Sequence, residues 1–281
     1  LTTNVSASKL NSKLLKWYLE KREEVRGVKT KGSLLENAKK IKAISKRNGK
    51  YRLTNAGILF FTDRPDEYIP GASSRVIMLS KEGETLQVKE FYGPIWKQVD
   101  EIYSFLLDKL ERVFVRVGVE RKKILIYPEW SIREALINAF MHRNYSLPSD
   151  IRVFVWPDKL VIRSPGSFPP GFDINEPEHI PRNRLLSQYF YDIGYTERYG
   201  FGLQRMMEEC KLHPVCELKF ESTPYRVDVI FEKKVGKVMD EMDRQIVSLI
   251  DKGRSIKYVA SKLGISPAAV IKRLRKLEEL R

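Results

Sequence analysis

The sequence predicts an α+β protein, built as an α/β sandwich body followed by a small all-helical unit. Three observations carry this. Helical periodicity over 9–26, 33–46 and from Gly93-Pro94 to Leu110 is interleaved with short apolar strand-like runs. A polar-faced helix, within 127–145, sits in the middle of the chain and is followed by a hairpin pattern. The last forty or so residues read as three short helices separated by glycine turns, with no strand among them.

At 281 residues the chain is long enough for a full core and for more than one domain. Hydrophobic content of 42% with 31% charged residues describes a soluble globular protein. No run reaches the apolar length of a membrane span, and no signal peptide is visible. The two cysteines, Cys210 and Cys216, lack metal-ligand company and suit a reduced, cytoplasmic setting. The chain opens on Leu1 rather than Met, which predicts an N-terminus that is cut or incompletely represented.

The net charge of +15 is concentrated at the two ends. Residues 1–52 hold fifteen Lys and Arg against four Glu, and residues 240–281 hold ten against six acids. The stretch 53–239 is left with no net charge. A neutral body with basic ends points to polyanion contact at those ends. The alternative is a solvated, lysine-rich surface of the kind found in heat-adapted proteins.

Taken in order, 9–26 is an amphipathic helix with Leu10, Leu14, Leu15, Trp17, Tyr18 and Leu19 among basic residues. Residues 33–46 form a second helix, capped by Ser33, with Leu34, Leu35, Ala38 and Ile41 inward. Thr54-Asn55-Ala56-Gly57 leads into Ile58–Phe61, a short buried strand or a helix end. Pro65 and Pro70-Gly71 signal turns. Ser74–Ser80 and Leu86–Phe91 are strands joined at Glu82-Gly83-Glu84, and Gly93-Pro94 opens a long helix through Ile95, Val99, Ile102, Phe105, Leu106 and Leu110.

Next comes YPEWSIREALINAFMHRNY, Tyr127 to Tyr145. Ser131 with Glu134 reads as a capping box. Ile132, Ala135, Leu136, Ala139 and Phe140 form the apolar stripe. Glu134, Asn138 and His142 fall four apart on another face. That row has no lysine, unlike an ordinary solvated face, so it is aimed at something. Ile151–Trp156, Pro157-Asp158 and Leu160–Ile162 form a hairpin. It runs into Ser164-Pro165-Gly166-Ser167-Phe168-Pro169-Pro170-Gly171, a shaped loop. Tyr199-Gly200-Phe201-Gly202 then starts a helix through Cys210, where free N–H groups and the helix dipole suit an anion. Leu218–Glu221 and Arg226–Phe231 complete the sheet.

The order of these pieces resembles the GHKL/Bergerat-like nucleotide-binding fold of gyrase, ATP-dependent heat-shock chaperones, MutL and histidine kinases. More narrowly, the chain resembles the RecG-related, or Schlafen-type, transcriptional regulators. The matching residues are Arg133-Glu134-Ala135-Leu136, Asn138-Ala139, His142-Arg143, Tyr145, Ser164-Pro165-Gly166, Arg182-Asn183, and Glu197 before Gly200-Phe201-Gly202. Upstream, Asn55-Ala56-Gly57 and Phe91-Tyr92-Gly93-Pro94 match as well, so the likeness spans about 50–232.

The resemblance implies a site for ATP and Mg²⁺. Asn138 would hold Mg²⁺ and Glu134 would be the general base if hydrolysis occurs. Gly200, Phe201 and Gly202 would frame the phosphates, with Arg182 a charge partner and Asn183 beside it. Ser164, Pro165 and Gly166 would border the adenine, and His142 and Arg143 would support the site. One departure stands out. GHKL ATPases place an Asp before the loop glycines to bind the adenine amino group, whereas Ile162-Arg163-Ser164-Pro165-Gly166 contains no acid. The chain also has no G-x-x-x-x-G-K-[ST] loop, so a helicase engine is absent from it.

The tail reads as helix-turn-helix. Val238–Ile250 is one helix, ended by Gly253. Ser255 caps a second through Leu263, Gly264-Ile265 turns, and Ser266 caps a third that begins at Pro267. Lys272, Arg273, Arg275 and Lys276 on that third helix are the expected DNA contacts. A trihelical oligomerisation module is the alternative. The chain stops at Arg281, where wing strands of a winged helix would begin. These readings divide the chain at 1–50, 51–120, 121–235 and 238–281. They predict a cytoplasmic, DNA-binding regulator, dimeric like many GHKL relatives, whose body binds Mg-ATP. The alternatives are an ATPase that remodels a nucleic acid or protein partner, and a degenerate scaffold without nucleotide.

Overall fold

A computed structural model describes residues 2–117, 120–174, 180–197, 201–234 and 241–278. Its centre is a six-stranded sheet in the order β10-β11-β9-β8-β4-β5. The strands are β4 (Ser74–Leu79), β5 (Thr85–Phe91), β8 (Ile151–Val155), β9 (Lys159–Pro165), β10 (Cys216–Ser222) and β11 (Arg226–Lys233). Only the β4–β8 pairing is parallel. Alternation decides which residues face the helices. Ile162 and Ser164 on β9 pair with Val229 and Val227 on β11, so all four share one face. Against this face pack α5 (Glu129–His142) and α7 (Gly202–Leu212), while α4 (Ile95–Lys109) lies against α5.

The first sixty residues do not form a basic helical segment alone. Strand β1 (Thr2–Ser6) pairs with β3 (Lys50–Thr54), which pairs with β2 (Ile44–Arg47), giving a three-stranded antiparallel sheet. Helix α1 (Ser12–Arg26) starts at Asn11, whose side chain accepts from the N–H groups of Lys13 and Leu14. The predicted helix over 33–46 ends early. Ser33 does form a capping box with Glu36, but α2 runs only from Leu34 to Lys40, and 44–47 is strand. Leu34 and Leu35, expected inward, are exposed; Ala38 carries the packing. The ambiguous Ile58–Phe61 belongs to a short helix, α3 (Asn55–Phe61), capped by Thr54. The predicted division after residue 50 falls inside the β2–β3 hairpin.

An aromatic cluster binds this region to the body. Tyr18 of α1, Phe60 and Phe61 of α3, and Tyr189 and Phe190 of α6 (Arg184–Asp192) meet edge to face. At its border lies the buried Asp192, which accepts from the Tyr18 hydroxyl, from Gln188 Nε2 at 2.7 Å, and pairs with Arg22 Nε at 3.1 Å. A second hairpin, β6 (Arg112–Val117) with β7 (Glu120–Leu125), had no signal in the sequence reading.

The tail has its own small core. Ile246 of α8 (Glu241–Asp251), Val259 and Ala260 of α9 (Ile256–Leu263) and Val270 of α10 (Pro267–Glu278) are buried together. Ser255 caps α9, and Gly264 closes it in the left-handed region. The predicted start of the first tail helix, Val238, lies outside the described residues.

Asp192 gives a direct test of the α1–α6 junction. Asp192→Ala strands the Tyr18 hydroxyl and the Arg22 guanidinium at a buried site, and should cost about 3 kcal/mol. A urea titration should show this as a lower midpoint with an unchanged slope.

Candidate functional site

Helix α5 begins two residues before the expected capping box. Pro128 precedes it, Glu129 is its first residue, and Ser131 is buried inside the first turn. Ser131 therefore caps nothing; its hydroxyl donates to Glu209 on α7. Glu134 is freed from the capping role and faces a cavity of about 370 Å³. Volumes of this size suit a small molecule or cofactor.

The row predicted from spacing is present, for Glu134, Asn138 and His142 all line the cavity. Asn138 Nδ2 donates to Glu134 Oε1 at 3.0 Å. Among the described residues no donor is recorded on the amide oxygen of Asn138. Glu134 is 6% exposed, and burial pushes its pKa upward; the Asn138 hydrogen bond and Arg133 pull it partly back. The carboxylate also lies against Gly202, the first residue of α7. A Cβ on Gly202 would sit 2.0 Å from Glu134 Oε1, so a larger residue there would require the Glu134 carboxylate to move. No side chain caps the start of α7. Its leading N–H groups are the kind a ligand anion can use.

The opposite wall is apolar, formed by Ile162, Val227, Val229 and Phe220 from the sheet, Met206 from α7, and Phe168 and Phe172 from the loop after β9. Sequence reading missed the sheet residues and Met206. Alternation about Asp228 puts Val227 and Val229 on one face of β11, but it does not say what that face looks onto. The Ser164-Pro165-Gly166 run lines the cavity as expected. The Ser164 hydroxyl donates to the Ala139 carbonyl at 2.8 Å, tying the strand to α5. Arg182 also lines it, at the rim, where Nη2 donates to the Ser167 carbonyl at 2.7 Å.

Other predicted site residues lie elsewhere. Asn183 donates to the carbonyls of Met141 and Arg143 at 2.9 and 2.8 Å, so it holds the end of α5 rather than lining the cavity. Arg143 is fully buried. Its Nη2 donates to the carbonyls of Leu147 and Ser149, which shapes the turn before β8. Phe201 is exposed and is not among the lining residues. Gly200 lies outside the described residues. In the tail, Lys272 and Arg275 are exposed on α10. Arg273 is not outward in the same way, because its Nη1 pairs with buried Asp243 of α8 at 2.6 Å. The side chain of Lys276 lies outside the described residues.

A helix-backed sheet with a Glu–Asn pair over an apolar cavity, joined to a capped trihelical unit, has the form of an ATPase-like domain followed by a DNA-binding domain. Comparison with known proteins bears on the two domain types and not on the Glu–Asn pair, because the first match begins after α5. Residues 149–231 match the family described as "Putative ATP-dependent DNA helicase recG C-terminal". Residues 239–280 match the winged helix-turn-helix DNA-binding family. The chain thus carries a region similar to the RecG C-terminal family, followed by a region similar to winged helix-turn-helix DNA-binding domains. A crystal structure of the DIP2311 protein from Corynebacterium diphtheriae is similar over 98% of this chain, with a TM-score of 0.62 and 20% identity. That likeness concerns the fold, and the chain spans only 58% of that protein's length. No curated protein matches the chain.

The buried carboxylate predicts a pH signature. The folded pKa of Glu134 lies above its ordinary value of 4.5, so the folded state holds the proton more tightly than the unfolded one. Ionised Glu134 therefore costs stability as pH rises through the raised pKa. Glu134→Gln should melt higher than the parent at neutral pH, and the gap should close as pH falls below 4.5. Melting curves across that range would show either this convergence or a flat difference that refutes it.

Proposed function

We propose that the cavity is an adenine-nucleotide site and that the chain is a cytoplasmic, nucleotide-responsive DNA-binding transcriptional regulator. The observation that carries this is the Glu134–Asn138 pair, one helical turn apart and hydrogen-bonded, opening on a cavity with an apolar far wall. The residues fit the ligand at two of three points. Ile162, Met206, Val229 and Phe168 provide a surface for a flat ring. Asn138 offers one hard oxygen, which suits Mg²⁺ because that ion keeps waters and phosphate oxygens as its other ligands. At the third point, among the described residues no carboxylate lines the apolar wall for the adenine amino group; the Ser164 hydroxyl oxygen is a substitute there.

In this reading Asn138 would hold Mg²⁺, which would supply positive charge to offset the phosphates. Gly202 and the start of α7 would offer backbone N–H groups to them, with Arg182 at the rim and His142 supporting. Glu134, its pKa raised by burial, is placed to take a proton from water if turnover occurs. Nucleotide would favour one of two states of the body and so alter how the helix-turn-helix is presented. A homodimer would set two such units against paired DNA half-sites. An ATPase that remodels a partner would use the same residues with faster turnover. The missing acid specifically favours a further reading, a scaffold that keeps the fold without nucleotide.

Thermal shift with Mg-ATP separates these. At a hundredfold excess over Kd, a ligand adds about 2.7 kcal/mol. That amounts to about 5 °C or more for a body of this size. Asn138→Ala should remove the Mg²⁺-dependent part, and Glu134→Ala should keep binding while abolishing any hydrolysis. No shift with any adenine nucleotide leaves the scaffold reading.

A further inference from the structure

The basic N-terminal region has no part in the cavity, and its charge is arranged in a specific way. Between 29 and 52 there are nine Lys and Arg and one Glu. The one carboxylate, Glu36, is committed to its capping box with Ser33. Among the described residues, none of the nine cations forms an ion pair with a carboxylate. The neighbouring helix α1 is different, with Lys21 paired to Glu24 at 2.9 Å. A merely solvated, salt-bridge-laced surface would look like α1.

The hairpin concentrates this charge. Its two-residue turn uses Asn48 and Gly49, both at positive φ (50° and 75°), the geometry that matches strand twist. Arg47 sits directly opposite Lys50, and Lys46 opposite Tyr51. Like charges opposed across a ladder destabilise it. Lys39, Lys46 and Tyr51 lie on one side of the hairpin, and Arg47, Lys50 and Arg52 on the other, so both sides are basic. Arg47 Nη1 also donates to the Thr2 carbonyl at 3.0 Å, which braces the hairpin against β1. The arm is thus fixed in place and charged on both faces; among the described residues no carboxylate pairs with the hairpin's cations, and the nearby Glu36 is felt by Lys39 and Lys40 of α2.

We propose that hairpin β2–β3, together with the exposed end of α2, is a second nucleic-acid surface that grips the phosphate backbone of duplex DNA. Helix, connection, helix and basic hairpin together give a helix for a groove and an arm for the flanking phosphates. A duplex is favoured over a single strand because the hairpin offers no stacking platform. Its one exposed aromatic, Tyr51, has the Lys39 ammonium over its ring at 4.3 Å. The proposal does not depend on the nucleotide reading of the cavity.

The test uses the full chain and a fluorescein-labelled duplex, with anisotropy read over a range of salt. Lys42, Lys46 and Lys50 are exposed, so changing all three to alanine should leave the fold intact by circular dichroism. The triple variant should bind duplex about tenfold more weakly, and its slope of log affinity against log salt should fall by ~0.9 per lost phosphate contact. Replacing the same three by arginine should restore binding. Lys272→Ala with Arg275→Ala, alone and combined with the triple change, separates the two surfaces. Further loss in the combination supports the hairpin even if the tail variant alone is silent. Unchanged affinity and slope in the triple variant overturns the proposal. So does a loss confined to single-stranded DNA, or confined to vesicles of equimolar phosphatidylserine and phosphatidylcholine.

Discussion

One close contact shapes the cavity: the carboxylate of Glu134 occupies the space where a Cβ on Gly202 would sit. It fixes how near the first turn of α7 approaches α5. A second tie, from Ser131 on α5 to Glu209 on α7, lies three residues earlier on one helix and seven later on the other. The two ties run in opposite senses along the helices, so α5 and α7 are held antiparallel and cannot slide without breaking both. The cavity is the space left between this pair and the sheet, and its depth follows from the side chain that position 202 lacks.

That geometry has an electrostatic consequence. A buried carboxylate is costly unless it is paired or hydrogen-bonded. Glu134 receives an amide hydrogen bond from Asn138 but, among the described residues, no ion pair, and burial pushes its pKa up. A fold selected only for stability would have little reason to keep a carboxylate there, because glutamine would fill the same space without the charge. Groups held in this way cluster where chemistry or ligand binding uses them, although structural networks produce them too. The neighbouring Asn183 and Arg143 look similar in sequence but donate to backbone carbonyls, Asn183 through Nδ2 and Arg143 through Nη2, while the buried Nε and Nη1 of Arg143 have no hydrogen-bond partner among the described residues.

Much of this was legible in the sequence where a single periodicity dominated. The four-residue spacing of Glu134, Asn138 and His142 placed them on one face, and the Pro/Gly run after β9 marked the rim. The failures have physical causes. Ser131 and Glu134 satisfy the capping pattern by type, but Pro128 supplies an earlier start, and Glu129 and Trp130 extend the helix backward. Residues 33–46 carry helical spacing, yet the β-branched Ile44 and the Asn48-Gly49 turn favoured a hairpin once β1 supplied a partner for β3. Strand β1 itself, TTNVS, is too short and polar to announce itself; it exists because of that pairing. The sheet residues of the cavity wall were missed because alternation reports which face a residue takes but not what lies across from it.

Charge counts alone would treat the two basic ends as equivalent, and the pairings show that they are not. In the tail, buried Asp243 takes one of the four expected DNA contacts, Arg273, into the packing between α8 and α10. A cation spent in this way stabilises the unit and contributes less to an external phosphate. The N-terminal hairpin makes the opposite choice: Arg47 and Lys50 are opposed across a two-residue turn, and among the described residues no carboxylate pairs with either. Such a strand pair is penalised in isolation and relieved by an external anion. The electrostatic case for a polyanion is therefore stronger at the end that carries no recognised DNA-binding fold than at the end that does.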